Sequence, residues 1–325
     1  MGEAKYERKP DWLRVRLEVG SDFQKVRGAI EGGRLHTVCE EARCPNLHEC
    51  WGRHRTATFM ILGDTCTRRC RFCAVKTGLP PPPDPDEPRR VAESAAKLGL
   101  AHVVVTMVTR DDLPDGGAAL LAATVREIRL AAPAASIEVL SSDLMGKEES
   151  IATLVASRPD ILSHNLETVR RLTPLVRSRS TYDRSLAFLA REAALAPDLV
   201  VKSSLMLGLG ETEPEILEAA RDLLATGVRM MNLGQYLQPS RLHAPVARWW
   251  TPAEFEGLKK AILDLGMAFV EAGPLVRSSY HAAGQLADFR SASSRKAEEA
   301  SAAGPPAPLD TPPPKRATLH AFEGR

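Results

Sequence analysis

The chain has 325 residues, 44% apolar and 26% charged, a length that buries a large core in one α/β barrel or two ordinary domains. With 43 basic and 41 acidic side chains its net charge is +2, which gives no general argument for binding nucleic acid or a membrane surface. No apolar run reaches the about 18 residues of a spanning helix, and the acid-bearing start MGEAKYERKPDWLRVRLEVG is unlike a secretion or transit signal, so a cytoplasmic protein is expected.

Residues 1–56 read as an N-terminal extension, basic and partly aromatic at its start (Lys9, Trp12, Arg14, Arg16). It carries the first of two cysteine triples, Cys39, Cys44 and Cys50, spaced C-x4-C-x5-C. ATFMILG (57–63) is a short apolar run ending in glycine, which predicts a buried strand. The second triple, Cys66, Cys70 and Cys73 (C-x3-C-x2-C), then falls in a loop at that strand's C-terminal end. Proline-rich LPPPPDPDEP (79–88) is a stiff connector.

Strand and helix patterns alternate after it. Strands are expected at AHVVVTMV, SIEVLS, DILSHN, LVVKSSLMLGLG and RMMNLGQY. Helices are expected at VAESAAKLGL, AALLAATVREIRLAA, EESIATLVAS, a short piece containing ETVRRL, YDRSLAFLAREAAL, PEILEAARDLLATG and PAEFEGLKKAILDLGMAFVEAG. Counted from ATFMILG, six strands separated by helices predict a parallel sheet with crossover helices, a partial (β/α)6 TIM-like barrel over 57–286. Residues 287–325, rich in Ala, Ser, Pro and charge, hold too little apolar material to offset ordering entropy and read as a disordered tail.

The cysteines carry the chemistry. All six lie between positions 39 and 73. Without a secretion signal disulfides are disfavoured, and thiolates suit iron–sulfur clusters, zinc or copper(I), so two tight triples indicate two soft-metal sites. Three cysteines leave one corner of a [4Fe–4S] cube for another ligand. Zinc completed by a histidine is the rival, sharpest for the first triple because Cys50-x3-His54 is a plausible metal spacing. A plain electron-transfer cluster with a distant fourth ligand is another.

CTRRCRFC, with Phe72 before its last cysteine, resembles the signature of radical S-adenosylmethionine (SAM) enzymes, whose open iron takes the amino and carboxylate groups of the cofactor. VCEEARCPNLHECW resembles the auxiliary-cluster motif of lipoyl synthases, and MILGDTCTRRCRFCAV their SAM-cluster motif. The similarity continues through TRDDLPDGG (109–117), HNLETVRRL (164–172), RSTYDRSL (179–186), KSSLMLGLGET (202–212), GQYLQPSRLHAPVARW (234–249) and GPLVRSSYHA (273–282). SSDLMG (141–146) departs from the family pattern, although Asp143 and Gly146 still align.

The resemblance implies two [4Fe–4S] clusters and SAM, two SAM molecules being consumed per lipoyl group. Cys66, Cys70 and Cys73 would hold the SAM cluster; Cys39, Cys44 and Cys50 the auxiliary cluster, with a serine of the RSSY stretch, Ser279 before Ser278, as its fourth ligand. The implied reaction is sulfur insertion at C6 and C8 of an octanoyl chain on a lysine, the auxiliary cluster donating the sulfur. Implied partners are octanoylated carrier domains (acyltransferase lipoyl domains or the glycine-cleavage carrier protein), a reductant such as a flavodoxin or ferredoxin, and an iron–sulfur carrier.

In α/β barrels ligands bind at the C-terminal ends of strands. By resemblance Asn165 and Glu167, which follow DILSH, contact the SAM ribose, a carboxylate on a vicinal diol as in dinucleotide sites. Arg110, Asp111 and Asp112 leave VVVTMV at the same end, where they would hold SAM or the cluster loop or form a structural salt-bridge network; Lys202, near a strand start, and Arg184 are further cofactor candidates.

Overall fold

The structure, a computed structural model, describes residues 8–15, 20–54, 57–282 and 284–291, with the side chains of 53 and 54 left aside. Residues 292–325, most of the expected tail, and His54 as a zinc ligand therefore lie outside what is described.

Helix α1 (Ser21–Gly33) leads to strand β1 (His36–Thr37), the single turn α2 (Val38–Glu41), the turn α3 (Leu47–Glu49) and strand β2 (Thr58–Ile61). Two short strands, β3 (Thr65–Cys66) and β4 (Lys76–Thr77), bracket the second triple. The alternating part follows: α4 (Glu87–Leu98), β5 (His102–Met107), α5 (Ala118–Ala131), β6 (Ser136–Leu140), α6 (Glu148–Ala156) and β7 (Ile161–Ser163). Then come α7 (Thr173–Val176), α8 (Tyr182–Leu195), β8 (Val200–Leu207), α9 (Glu213–Ala225), β9 (Met230–Gln235), α10 (Pro252–Asp264) and β10 (Phe269–Gly273).

The main sheet runs β1-β2-β5-β6-β7-β8-β9-β10, parallel throughout except for β1, which pairs antiparallel with β2 at one edge. Crossover helices cover the outer face, so the central strands are buried along their length and read as near-continuous apolar runs. Local sequence agrees with each element. Thr212 with Glu215, and Thr251 with Glu254, form capping boxes that start α9 and α10, and Gly99 in the left-handed region ends α4. One apolar cluster joins Phe23, Trp51 and Phe59 to β5, β6 and helices α4 and α5; a second packs Leu205, Met231 and Leu233 against α9 and α10.

The parallel sheet and the partial barrel stand as expected, with two differences. The long helix expected over 252–273 stops at Asp264, because Gly266 takes a φ of +106° and ends it. Phe269–Gly273 is a seventh parallel strand, paired with β9. The short helix expected at ETVRRL forms instead at Thr173–Val176. The Glu167 backbone is occupied by β8: its N–H donates to the Ser204 carbonyl (3.0 Å) and its carbonyl accepts from the Met206 N–H (2.8 Å), at a φ of +69°, outside the right-handed helical region.

Candidate active site

One cavity of about 370 Å3 opens at the C-terminal ends of the strands, and all six cysteines line it. None is in a disulfide. The first triple is built from a chain that reverses on itself. Thr37 caps α2 by accepting from the Glu40 N–H (3.3 Å), which sets Cys39 inward; Cys44 N–H returns to the Cys39 carbonyl (3.0 Å), and Cys50 N–H to the Asn46 carbonyl (2.8 Å). The second triple is a loop pinched at its base by β3 and β4, with Cys73 N–H donating to the Cys70 carbonyl (3.2 Å). Backbone N–H groups point at its sulfurs: Arg68 at Cys66 Sγ (3.4 Å) and Ser178 at Cys70 Sγ (3.5 Å).

The RSSY segment crosses the barrel to meet the first triple. Asn46 Nδ2 donates to the Leu275 carbonyl (2.7 Å), Tyr280 OH to Glu49 (3.3 Å), and Thr58 Oγ1 to Ser279 Oγ (2.8 Å). Ser279 lines the cavity beside Ser278, whose hydroxyl accepts from Asn165 Nδ2 (2.8 Å). Close approach is possible because position 234 is glycine: a Cβ there would sit 2.0 Å from the Val276 carbonyl oxygen.

Asn165 and Glu167 also line the cavity. Burial raises the Glu167 carboxyl above its usual range, against the pull of Arg177. The other three expected cofactor contacts are absent from the lining. The Arg110 guanidinium pairs with Asp112 (2.8 Å) and reaches back to the Leu62 carbonyl, bracing the loop after β2. Arg184 is drawn to Asp143 (2.8 Å). Lys202, third in β8, points below the cavity floor, with Nζ 2.6 Å from the Ser278 carbonyl and 3.1 Å from Glu138. Each is held by a carboxylate partner: Arg110 within the salt-bridge network that 110–112 offered as an alternative, Arg184 and Lys202 by acids distant in sequence.

The structure adds residues that spacing did not reveal. Arg68, inside the second triple, is buried and forks onto Asp111 (2.8 and 2.9 Å) and Asp143 (2.6 Å), fixing the loop of that triple to the segments after β5 and β6. Arg177 lies beside Cys70 and Glu167, and Arg277 beside Cys44; both line the cavity, and neither has a carboxylate in salt-bridge contact among the described residues. A basic residue between two cysteines was visible as Arg68, and Arg277 as the first residue of the RSSY stretch; nothing local marked Arg177.

The description "N-terminal domain of lipoyl synthase of Radical SAM family" matches residues 1–44, and "Radical SAM superfamily" residues 60–223. The lipoyl synthase of Bacillus cytotoxicus is 56% identical over 87% of this chain and 95% of its own. That of Bacillus mycoides is 55% identical over 91% and 98%. The chain belongs to the lipoyl synthase family. Among solved structures, Streptococcus suis SuiB bound to S-adenosylmethionine superposes with a TM-score of 0.53 at 13% identity, over 71% of this chain and 54% of that one, a likeness of fold alone.

Lipoyl synthases make the lipoyl group with SAM and two [4Fe–4S] clusters, on octanoylated lipoyl domains, and these are this chain's function, cofactors and substrate class. The residues present fit those groups. Burial, reinforced by the charge of Cys44, pushes the Cys39 thiol up to about 12, and burial pushes Cys73 up to about 12 as well. Bare thiolates would thus be costly here, and iron is what makes them favourable. Arg177 and Arg277, neither in salt-bridge contact with a carboxylate among the described residues, stand one at each triple where an anionic thiolate cluster would complete them. Asn46 Oδ1 and Asn165 Oδ1 are buried without partners on the same lining. Among the described residues no three His, Cys, Asp or Glu side chains gather as a single metal ion requires, whereas a cube spreads its ligands over separate corners.

Proposed function

We propose that Cys66, Cys70 and Cys73 hold the SAM cluster, and that Cys39, Cys44, Cys50 and Ser279 hold the auxiliary cluster. The supporting observation is that six cysteines and Ser279, from three separate stretches of chain, line one cavity. The bound groups supply hydrogen abstraction from two unactivated carbons, C6 and C8 of an octanoyl-lysine, and the two sulfur atoms inserted there.

The chain's own part is placement and exclusion. Asn165 and Glu167 are the proposed SAM contacts; Arg110, Lys202 and Arg184 serve the scaffold that presents the site. Thr58 donates to Ser279 Oγ, so the serine's own proton is free to leave and the charge left on its oxygen keeps a hydrogen bond. Apolar side chains on the lining, Met60, Val104 and Met107, give an acyl chain a dry path between the triples. Arg68 keeps the cluster loop in register through Asp111 and Asp143.

Residues 1–56 are read as the auxiliary-cluster extension, 57–286 as the barrel and 287–325 as a tail. Within the octanoylated substrates, acyltransferase lipoyl domains and the glycine-cleavage carrier protein are the proposed partners. A flavodoxin or ferredoxin would reduce the clusters and an iron–sulfur carrier would rebuild the spent one, in the cytoplasm. No helix among the described residues is long and apolar enough to cross a membrane.

Anaerobic reconstitution followed by SAM, dithionite and an octanoyl-lysine peptide tests the assignment. About eight irons per chain and a two-sulfur gain by mass spectrometry are expected. SAM cleavage without thiolation would overturn the substrate, and stoichiometric zinc in place of iron would overturn the clusters.

A further inference from the structure

Five exposed arginines lie on the cavity lining or within two residues of it in sequence. Arg43 lines the cavity itself. Arg69 and Arg71 alternate in sequence with the lining residues Arg68, Cys70 and Phe72; Arg179 comes just before lining Ser180, and Arg241 two residues after lining Pro239. All five are exposed, and none makes an ion pair among the described residues. Arg71 has only a 3.5 Å contact with the Leu175 carbonyl. The acids nearest in sequence are turned elsewhere: Glu40 accepts from Thr37, Glu41 faces His36 and Asp64 faces Lys76. On a chain of net charge +2, this rim is a local concentration of positive field.

The rim is also apolar in one place. Leu175 is 56% exposed and Leu242 is 94% exposed. The Arg71 backbone binds the segments of both, donating to the Val176 carbonyl (2.8 Å) and accepting from the Ala244 N–H (2.7 Å). Spread-out arginines around two exposed leucines have the composition of a protein interface, where arginine and apolar anchors are enriched. A small anion would need converging donors instead.

We infer that this collar docks an acidic face of the carrier domain whose octanoyl-lysine enters the cavity. The inference rests on the proposed protein-bound substrate: an acyl group tethered to a folded domain brings that domain against the rim when its far end reaches the thiols. Opposite charge then gathers the carrier and orients its lysine toward the opening, an effect that belongs mainly to encounter rate and is screened by salt.

The test compares two substrates of the reconstituted enzyme, with dithionite as the reductant. For the variant R69Q/R179Q/R241Q, KM for an octanoylated acidic carrier domain should rise about tenfold and lose much of its salt dependence. KM for a short uncharged octanoyl-lysine peptide, and SAM cleavage with that peptide, should match the unsubstituted enzyme. R241Q alone should give the same pattern at about threefold. An unchanged domain KM, or an equal rise for domain and peptide, overturns the collar. So does a defect that appears only when a protein reductant replaces dithionite, which would give the rim to the electron donor. Failure of the unsubstituted enzyme to thiolate either substrate is a different result: it removes the substrate reading, and the collar with it.

Discussion

Ser279 is the residue on which the proposed chemistry turns most narrowly. Thr58 donates to its oxygen at 2.8 Å, and the serine lies in a segment anchored on both sides by Asn46 and Tyr280. Ser279→Ala removes one oxygen and leaves those anchors. The auxiliary cluster is expected to assemble still on three thiolates, with sulfur insertion falling about a hundredfold while SAM cleavage falls far less. Parallel assays of 5′-deoxyadenosine and thiolated peptide check this; equal loss of both would remove the serine from its role. His164 makes a pH prediction. Burial holds its imidazole down at about 4, against 6.5 unperturbed, with Nδ1 at 2.9 Å from the Ser141 carbonyl oxygen and Nε2 at 3.0 Å from Ser185 Oγ. The folded state keeps the ring neutral while the unfolded state takes a proton, so this contribution is complete above pH 6.5 and is lost as pH falls toward 4. Chemical denaturation at pH 6.5 and pH 5 should show wild type losing about 2 kcal/mol more than His164→Asn over that interval. Identical losses would mean the ring is protonated in the fold.

At the scale of elements, the barrel floor explains how the RSSY segment is held. Lys202 from β8 and Glu138 from β6 are both fully buried and pair at 3.1 Å; Lys202 Nζ and Asn232 Nδ2 from β9 both donate to the Ser278 carbonyl, at 2.6 and 3.1 Å. Burial alone would raise the Glu138 carboxyl, but the Lys202 charge and His102 bring it below the usual range. Removing one member strands the other: Lys202→Met should cost about 3–5 kcal/mol, and Lys202→Met with Glu138→Leu should recover most of it. Urea unfolding of the two variants decides, and a double variant no more stable than the single would show that the pair is not coupled. The loop of the second triple, between β3 and β4, carries its own prediction. Cys70→Ala is expected to leave about four irons and abolish SAM cleavage; retained 5′-deoxyadenosine formation would sink the assignment of that triple.

Over the whole molecule, the proposed clusters act as staples between distant stretches. One would tie 39–50 to 279, and the other would close the loop 66–73 against Ser178 and His243, whose ring nitrogen lies 3.0 Å from the Cys73 carbonyl. Ligands that bind only the folded state add to its stability by linkage. Anaerobic removal of iron should therefore lower Tm by at least several degrees and speed amide exchange in 275–282 more than in β5 or β8. A chelated protein with unchanged exchange at 275–282 would mean that hydrogen bonds alone hold that segment.

The sequence by itself determined the alternation of strands and helices, and with it the parallel sheet, because period and punctuation are local properties of the chain. It also singled out the six thiols, since cysteine spacing within one loop is local too. The seventh strand was hidden behind Gly266, a single residue whose positive φ divides one apolar run into a helix and a strand. Tertiary structure alone decided which polar residues face the cavity. Asn165 and Glu167 line it, whereas Lys202 and Arg184 are turned to carboxylates on other strands or loops and Arg110 to Asp112 in its own loop. It also placed Arg177 and Arg277 beside the triples and Ser279 against Thr58, across 221 residues of chain. A side chain's direction at a strand end is set by its partner, and partners distant in sequence become neighbours only when the barrel curls.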